Sequence, residues 1–369
     1  MLRRRIFSIL TIFLLVTTGI SFGISTSSFA AAPPASIAVT STPYAQLPTS
    51  DHQNYKGQMT SDPAGNLYIG DSMTCAVYVV SAANPLATPT ILPNTSGDWC
   101  GDSNRAIYGL AYAHINGTLV LIETSGYATG VFEIPLNGIS APFKVATTSG
   151  SANLSYNAAT DTLVSASFGT NFYVYPSFSQ CTTAGPCTGS AITVTGGVSN
   201  YWGIALSGST IFVPSDSSLF GTAPLTGGAL APYGTLSGFN TFATDVAGNV
   251  YEMNPNGNFW KIPAGTTSAI PLTFATPLPD NAVGNNYAMT CSNGGLYALN
   301  NNAANHTSTR QITKISGPLI MSDSCVTDES STTGLPSTGN NLTRSLVLGL
   351  GLLSLGCLIV GTRRRAHRA

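Results

Sequence analysis

Cysteine is the residue type with the most definite chemistry in this sequence. Cys357 lies apart from the other cysteines, in an apolar segment close to the C-terminus. The remaining six are Cys75, Cys100, Cys181, Cys187, Cys291 and Cys325. An even set predicts disulfides, and proximity favours the pairs 75–100, 181–187 and 291–325, although many other pairings are open. A metal site is the weaker alternative, because no Cys-x-x-Cys occurs and His52, His114 and His306 are isolated from the cysteines.

Motifs for catalysis are missing from the sequence. After residue 30 there is no Gly-x-Ser-x-Gly elbow, no His-Glu-x-x-His and no Gly-rich phosphate loop before a helix. Four His and fifteen Asp and Glu residues leave no obvious acid–base pair. We therefore expect no catalytic residue, no metal and no cofactor.

Aromatic residues, several of them beside Asn, form a second candidate group because they precede predicted innermost strands at recurring positions. They are Tyr55, Tyr108, Tyr201, Trp202, Phe239 and Tyr287. If those strands line a channel, their starts cluster at one mouth. Rings and amides there offer stacking surface and hydrogen bonds that suit a glycan or a peptide. The alternative is that these rings pack between neighbouring sheets.

The elements that would position these residues recur along the body of the chain. Six turn markers, each followed by a strand rich in β-branched and aromatic residues, lie 40 to 52 residues apart. They are Gly65, Gly117, Asp161, Gly208, Gly248 and Gly294. A period in the forties with about four strands per repeat is typical of a β-propeller. We predict an all-β fold with six blades, and seven as the alternative.

Further strands are predicted after most of these turns. They span 77–80, 131–134, 172–175, 259–262 and 312–315. Each is a continuous apolar run, as expected for a strand that is buried on both faces between neighbouring blades. The stretch 36–39 is predicted to complete the last blade and close the ring, which would remove exposed sheet edges.

Two stretches, Tyr201–Val213 and Tyr55–Asp71, share a small and apolar segment, a turn and a Leu-Tyr-Val-like strand. In this pattern the chain resembles NHL-type and gluconolactonase-like propellers. The lactonase branch of that resemblance implies a Glu, two Asn and an Asp around a divalent cation such as calcium at the central channel. The candidate acids are Glu123, Glu252, Asp71 and Asp216. For Asp62, Asp161 and Asp245, which sit in predicted turns, capping of the backbone is the expected role.

The N-terminus predicts export. Arg3–Arg5 form a basic segment, and an apolar run follows over 6–16. Small residues then lead to Ser28-Phe29-Ala30, which fits the small-x-small cleavage rule. We predict a signal peptide over residues 1–30. A permanent N-terminal anchor is the alternative.

The C-terminus carries the pentapeptide Leu335-Pro336-Ser337-Thr338-Gly339, an apolar run over 345–362, and then Arg363–Arg365 and Arg368. About 18 apolar residues suffice to cross a bilayer as a helix, and the arginines favour a cytoplasmic end. The order resembles the LPXTG cell-wall sorting signal of Gram-positive surface proteins. The resemblance implies that a sortase cuts between Thr338 and Gly339 and joins Thr338 to peptidoglycan. An ordinary membrane anchor is the alternative.

The predicted organisation is a propeller ectodomain over 31–325, a polar linker over 326–334 and a sorting signal over 335–369. Residues 31–334, the ectodomain and linker together, contain six Lys and Arg residues against fifteen Asp and Glu, a net charge of −9. It lacks the clustered basic residues that nucleic acid requires. Only 8% of all residues are charged, against about 25% in typical proteins, so uncharged polar residues must supply the surface.

The sequence therefore predicts a secreted protein anchored to peptidoglycan, with sortase and peptidoglycan as partners and membrane contact only through the C-terminal span. The propeller is expected to bind a glycan or a protein. The alternative is an extracellular lactonase-like or lyase-like enzyme that uses a divalent cation.

Overall fold

The computed structural model describes residues 36–48, 59–71, 76–93, 95, 107–115, 118–125, 130–136, 140–147, 153–166, 171–196, 203–214, 220–233, 241–245, 247–254, 257–275, 288–292, 294–300, 310–318 and 320. The chain divides after Ser36, and the fold below is that of the unit from Ile37 onward. The predicted signal peptide, the linker and the sorting signal lie outside the described residues. Within the described ranges, no helix is both long and apolar enough to cross a membrane.

Apart from Pro318 and Ile320, which are helical, the elements of the described residues are strands and one 3-10 turn, Phe178–Gln180. The strands are β1 (Ile37–Gln46), β2 (Met59–Ser61), β3 (Leu67–Gly70), β4 (Val77–Val80), β5 (Thr90–Ile91), β6 (Ile107–Ile115), β7 (Thr118–Ser125), β8 (Val131–Pro135), β9 (Phe143–Thr147), β10 (Asn153–Asn157), β11 (Thr162–Ala166), β12 (Asn171–Pro176), β13 (Cys187–Thr188), β14 (Ser190–Thr195), β15 (Ala205–Ser207), β16 (Thr210–Pro214), β17 (Phe220–Pro224), β18 (Gly228–Ala229), β19 (Ala231–Tyr233), β20 (Thr241–Thr244), β21 (Val250–Met253), β22 (Phe259–Ile262), β23 (Ile270–Phe274), β24 (Ala288–Ser292), β25 (Gly295–Asn300) and β26 (Gln311–Ser316). The predicted all-β fold is confirmed.

These strands form six four-stranded antiparallel units, which we number as blades. Blade 1 is β2–β5, blade 2 is β6–β9, blade 3 is β10, β11, β12 and β14, blade 4 is β15, β16, β17 and β19, blade 5 is β20–β23, and blade 6 is β24, β25, β26 and β1. Each blade begins with its innermost strand. The recurring order reflects the repeat seen in the sequence.

The blades close into a ring around the six inner strands β2, β6, β10, β15, β20 and β24. Each inner strand contacts the next, and β24 contacts β2. Six buried apolar clusters fill the six spaces between adjacent blades. Burial of apolar surface on both faces of every blade is the main favourable term in this architecture. Because blade 6 packs directly on blade 1, the described structure has six blades and not seven.

β1 closes the ring in a different way from the prediction. Its second half, from Thr40 to Gln46, pairs antiparallel with β26 and is the outer strand of blade 6. Its first half, Ile37–Val39, pairs parallel with β23 of blade 5. The predicted closing stretch 36–39 therefore adds to the neighbouring blade, and the residues after it complete the last one. A single ten-residue strand thus joins two blades.

Two short strands extend other blades in the same manner. β13, which belongs to the chain of blade 3, pairs parallel with β9 of blade 2. β18, from the chain of blade 4, pairs parallel with β14 of blade 3. These additions cover the outer edges of blades 2 and 3, which would otherwise expose unpaired peptide groups.

Candidate functional site

A cavity of about 130 Å³ lies at the centre of the ring. All six inner strands or the residues beside them contribute to its wall. The lining is Met59, Thr60, Ser61, Leu110, Ala111, Tyr112, Leu154, Ser155, Tyr156, Ile204, Ala205, Phe242, Ala243, Thr244, Met289, Thr290 and Cys291. None of these lining residues carries a charge. The cavity offers hydroxyl groups and apolar surface to a ligand.

The lining follows one pattern in every blade. The first contributing residue of each inner segment is large and apolar, and at most 3% of its surface is exposed. These residues are Met59, Leu110, Leu154, Ile204, Phe242 and Met289. Each belongs to a different one of the six clusters between blades. The central cavity and the packing between blades therefore depend on the same residues.

Small hydroxyl residues of the lining bond neighbouring blades together. The backbone N–H of Tyr112 donates to Thr60 Oγ1 at 3.0 Å, which joins blades 1 and 2. The N–H of Leu206 donates to Ser155 Oγ at 2.9 Å, which joins blades 3 and 4 in an equivalent way. Ser61 Oγ donates to the carbonyl oxygen of Cys291 at 3.1 Å and joins blades 1 and 6. These hydroxyls therefore have structural partners.

The two ends of the ring differ in their connections. We call the side at which the inner strands begin the start face, and the side at which they end the end face. At the start face, outer strands lead to the next inner strand through residues 47–58, 92–106, 148–152, 196–204, 234–240 and 275–287. At the end face, inner strands turn back through the shorter connections 62–66, 116–117, 158–161, 208–209, 245–249 and 293–294. The connections of this kind at the start face are longer and more varied in length than those at the end face.

The predicted aromatic residues belong to the start-face part of the chain. Tyr55, Tyr201, Trp202, Phe239 and Tyr287 occur in the connections that end at an inner strand, and Tyr108 is the second residue of β6. Their side chains lie outside the described residues, so the aromatic ring at the mouth stays a prediction. The connections that carry five of them join strands at the same face.

The candidate acids that the structure describes lie away from the cavity wall. Glu252 is fully buried in β21, the second strand of blade 5, and Asp71 is fully buried after β3. The side chain of Glu123 in β7 and all of Asp216 lie outside the described residues. Among the residues that the structure describes, no group of three His, Cys, Asp or Glu side chains is arranged to hold a metal ion.

Asp62 and Asp245 cap turns, as the sequence predicts. Asp245 Oδ1 accepts hydrogen bonds from the N–H groups of Ala247 and Asn249 at 3.0 and 2.9 Å. Its Oδ2 accepts from Asn249 Nδ2 at 2.8 Å and from the Tyr251 hydroxyl at 3.1 Å. Asp62 makes the corresponding bonds to Asn66 and Tyr68 in blade 1. Burial, reinforced by the adjacent aspartate, raises the pKa of Tyr68 and of Tyr251 well above the usual value.

Asp161 has the same role by other contacts. It adopts a positive φ of 47° at the turn of blade 3. Its carboxylate accepts hydrogen bonds from the Tyr156 hydroxyl at 2.9 Å and from Ser179 Oγ at 2.7 Å. Ser179 belongs to the 3-10 turn, so this carboxylate joins the inner hairpin to the third connection of the blade.

Two buried or half-buried lysines lie over tyrosine rings in blades 5 and 6. Lys261 Nζ is 5.7 Å from the ring centre of Tyr251, and Lys314 Nζ is 5.5 Å from that of Tyr297. Burial lowers the pKa of Lys261, an effect that the charge of Asp245 opposes. The Tyr297 ring also packs edge-on against Tyr44 of β1 at 4.7 Å between centres. Burial, with Tyr297 as the next cause, raises the pKa of Tyr44 to about 12. These pairs support the blades and do not contact the cavity.

Glu133 is a buried acid that sequence reasoning missed. It lies in β8 with 5% of its surface exposed, and its Oε1 is buried without a hydrogen-bond partner among the described residues. Burial raises the pKa of Glu133 to about 7. Val131, two residues earlier, faces the cluster between blades 2 and 3. Alternation along a strand places Glu133 on the same face.

One predicted disulfide is confirmed. Cys181 and Cys187 are bonded, with 5.2 Å between their Cα atoms. The bond holds β13, the strand that extends blade 2, to the chain of blade 3. Cys291 is also disulfide-bonded, and its partner lies outside the described residues. Cys75, Cys100 and Cys325 lie outside them as well.

Comparison with known proteins supports the fold. No protein-family model matches the chain, and no curated protein matches its sequence. The PQQ-bound aldose sugar dehydrogenase of Streptomyces coelicolor is similar in structure, with a TM-score of 0.51 and 15% identity over 77% of this chain and 100% of that one. A streptogramin B lyase has a TM-score of 0.48 and 9% identity over 76% of this chain and 98% of the other. The first likeness supports a propeller and, at this identity, nothing about activity.

The propeller accounts for the position of each described candidate. The aspartates cap turns at the end face, the lysines and tyrosines stabilise individual blades, and the inner strands leave an uncharged cavity. The cavity wall and the connections at the start face are the remaining candidates for contact with a ligand. Loops that a rigid scaffold positions are a common location for binding residues.

Proposed function

We propose that this protein is an exported, wall-anchored β-propeller that binds an uncharged glycan or peptide at the start face. The observation that carries the proposal is the central cavity, whose wall combines contributions from all six blades and contains no charged residue. An uncharged ligand avoids the large desolvation penalty of an ion, for which this wall offers no compensating charge, and its polar groups require only hydrogen-bond partners.

The start-face connections provide the remaining support. Five of the six aromatic candidates occur in connections that lead directly into the cavity-lining strands. Tyr and Trp combine a large apolar face with a polar group, so they suit sugar rings and peptide side chains. Trp202 precedes the lining residue Ile204 by two positions, and Tyr287 precedes Met289 by two. Because Trp202 and Tyr287 occupy equivalent positions in their blades, we expect both to act at the start-face mouth of the cavity.

The location of the protein is proposed from its termini. The basic and apolar N-terminal segment supports export, and the Leu335–Gly339 pentapeptide with its apolar run and basic end supports sortase processing at Thr338. Sortase and peptidoglycan are the proposed partners in this step. Thr338 serves as the acyl donor in the substrate and has no catalytic role.

A binding screen tests the proposed activity. Residues 31–334 are presented to arrays of neutral and charged glycans and peptides, while hydrolysis of esters and lactones is measured in parallel with and without a chelator. Saturable binding of a neutral ligand without turnover is the expected result. Turnover that disappears with the chelator would instead support the alternative, an enzyme that uses a divalent cation.

The anchoring step has its own test. In cells that express the full chain, Thr338→Ala is expected to move the protein from the covalently bound wall fraction to the membrane and medium, because the acyl donor of the transpeptidation is lost. Ser337→Ala is the matched control, since the third position of the motif is free. Equal wall linkage of wild type and Thr338→Ala would contradict the proposal.

A further inference from the structure

Cys291 occupies an unusual place for a disulfide. It is the fourth residue of β24, only 7% of its surface is exposed, and it lines the central cavity. It is nevertheless bonded to a second cysteine. The segment of the chain that carries its partner is therefore fixed beside an inner strand.

Strand register places Cys291 toward the end face. Cys291 pairs with Leu296 of β25, and Leu296 pairs with Ile315 of β26. β26 ends one residue later, at Ser316. The chain that leaves the last strand of the propeller therefore starts at the same end of blade 6 as Cys291.

The chain then continues toward Cys291. Ile320 is fully buried, and it belongs with Cys291, Leu296 and Ile315 to the cluster between blades 5 and 6. Its N–H donates to the carbonyl oxygen of Gly317 at 3.0 Å, which keeps this segment compact. Cys325 follows only five residues later. Five residues reach at most about 17 Å, which is ample for a partner that starts from the same cluster.

The other cysteines are poorly placed for this bond. Cys181 and Cys187 are bonded to each other. Cys75 directly precedes Ala76, whose carbonyl accepts from the Asp71 N–H at 2.8 Å in the turn of blade 1 at the start face. Ala76 clusters with Ala288, three residues and about 10 Å before Cys291 along β24.

Cys100 is also less well placed than Cys325. It lies in the connection between Thr95, whose hydroxyl accepts from Val77 N–H at 3.1 Å, and Ile107, whose side chain lies against Gly70. Both ends of that connection are held at the start face between blades 1 and 2. The side chain of Cys291, by contrast, is packed between blades 5 and 6.

We propose that Cys291 is bonded to Cys325 and that this bond straps the C-terminal segment to the end face beside the channel axis. The two thiols lose two protons and two electrons as the S–S bond forms, and a disulfide-donating oxidoreductase outside the cytoplasm accepts them. The strap makes the nine-residue linker 326–334 begin at the end face. The end face then lies toward the anchor, and the start face, with its long connections, points away from it.

This orientation rests on the proposed anchoring at Thr338, whereas the disulfide does not. It also gives the proposed ligand site a direction, because the mouth that carries the aromatic candidates is the one presented outward. A ligand beyond the wall could reach it without passing the linker.

Peptide mapping of the full chain tests the bond. Protein isolated from cells with free thiols blocked is digested without reductant, and a linked peptide containing Cys291 and Cys325 is expected. In Cys325→Ser, the one additional free thiol after denaturation is expected at Cys291, whereas in Cys100→Ser it is expected elsewhere. A linked peptide that joins Cys291 to Cys75, Cys100 or Cys357 would overturn the proposal.

Epitope exposure tests the orientation. One short epitope is inserted between Gly208 and Ser209 at the end face, and in a second variant it is inserted between Ala166 and Asn171 at the start face. The ratio of Fab binding on intact cells to binding after wall digestion is expected to be at least threefold higher for the start-face epitope. Equal or reversed ratios in wall-linked protein would overturn the orientation. Loss of wall linkage in both variants and in wild type would instead refute the anchoring and leave the peptide map valid.

Discussion

At the scale of single residues, Glu133 is the clearest source of pH dependence. Its carboxyl is buried among apolar residues, and burial raises its pKa from 4.5 to about 7. The unfolded chain releases this proton near pH 4.5, while the folded chain retains it until about pH 7. The folded state therefore binds more protons between these values, and its stability falls as the pH rises through this window.

Glu133→Gln is expected to remove this dependence. The variant keeps the shape of the side chain without an ionisable group, so it should be more stable than wild type at pH 8 by about 2–3 kcal/mol. At pH 4 the two proteins should differ little. Urea unfolding at both pH values measures the effect. An identical loss of stability in the variant between pH 4.5 and 7 would show that another group is responsible.

Gly109 shows how closely adjacent inner strands approach. A β carbon at this position would lie 2.7 Å from the backbone nitrogen of Leu154 in the next blade. Gly109→Ala is expected to lower the free energy of unfolding by about 1–3 kcal/mol, because backbone atoms must move. Gly185→Ala is the matched control, since its nearest atom would be Thr182 Oγ1 at 3.9 Å. Equal stability of the two variants would contradict this account of the inner ring.

At the scale of elements, the turns of blades 1 and 5 share one device. Residues 62–68 and 245–251 have the same pattern of Asp, Gly, Asn and Tyr, and their hydrogen bonds correspond. The side-chain oxygen of the Asn in each turn also accepts a hydrogen bond from the backbone N–H two residues after the third strand of its blade, at Ala82 and Ala264 respectively. In each blade, the Asp–Asn pair therefore joins the turn, the second strand and the connection that follows the third strand.

Asp245→Ala is expected to cost about 2–4 kcal/mol, since it leaves buried donors without their acceptor. Asp62→Ala should cost a similar amount. Because the two turns lie in separate blades, the double variant should show the sum of the single losses. Thermal or urea unfolding provides the measurement. A loss below about 0.5 kcal/mol for either single variant would mean that the turn is held by other contacts.

The turns were predictable because few residues tolerate a positive φ. Gly65, Gly208, Gly248 and Gly294 all have one, with values from 57° to 85°, and Asp161 joins them. The split pairing of β1 was not predictable, because parallel pairing with β23 depends on an edge more than 230 residues away in sequence. β13 and β18 were missed for the same reason. They are two residues long, and their pairing partners belong to other blades.

At the scale of the whole molecule, closure of the ring explains why the repeat could be read from sequence while the site could only be outlined. Each blade must present apolar residues to both neighbours, so the pattern recurs six times. The cavity wall consists of residues such as Ala111, Ala205 and Ala243, which look like ordinary strand residues and acquire a role only when six strands meet. Glu133 escaped notice because a lone acid in an apolar strand has no sequence signature.

The most direct test of the central claim is the affinity of the start face for its ligand. Once the screen identifies a neutral ligand, its Kd is measured for wild type, for the double variant Trp202→Ala/Tyr287→Ala, and for the end-face control Thr160→Ala/Ser209→Ala. Loss of two stacking side chains is expected to weaken binding by at least about tenfold, while the control should match wild type. Unchanged affinity in a folded Trp202→Ala/Tyr287→Ala protein, or an equal loss in the control, would contradict binding at the start face.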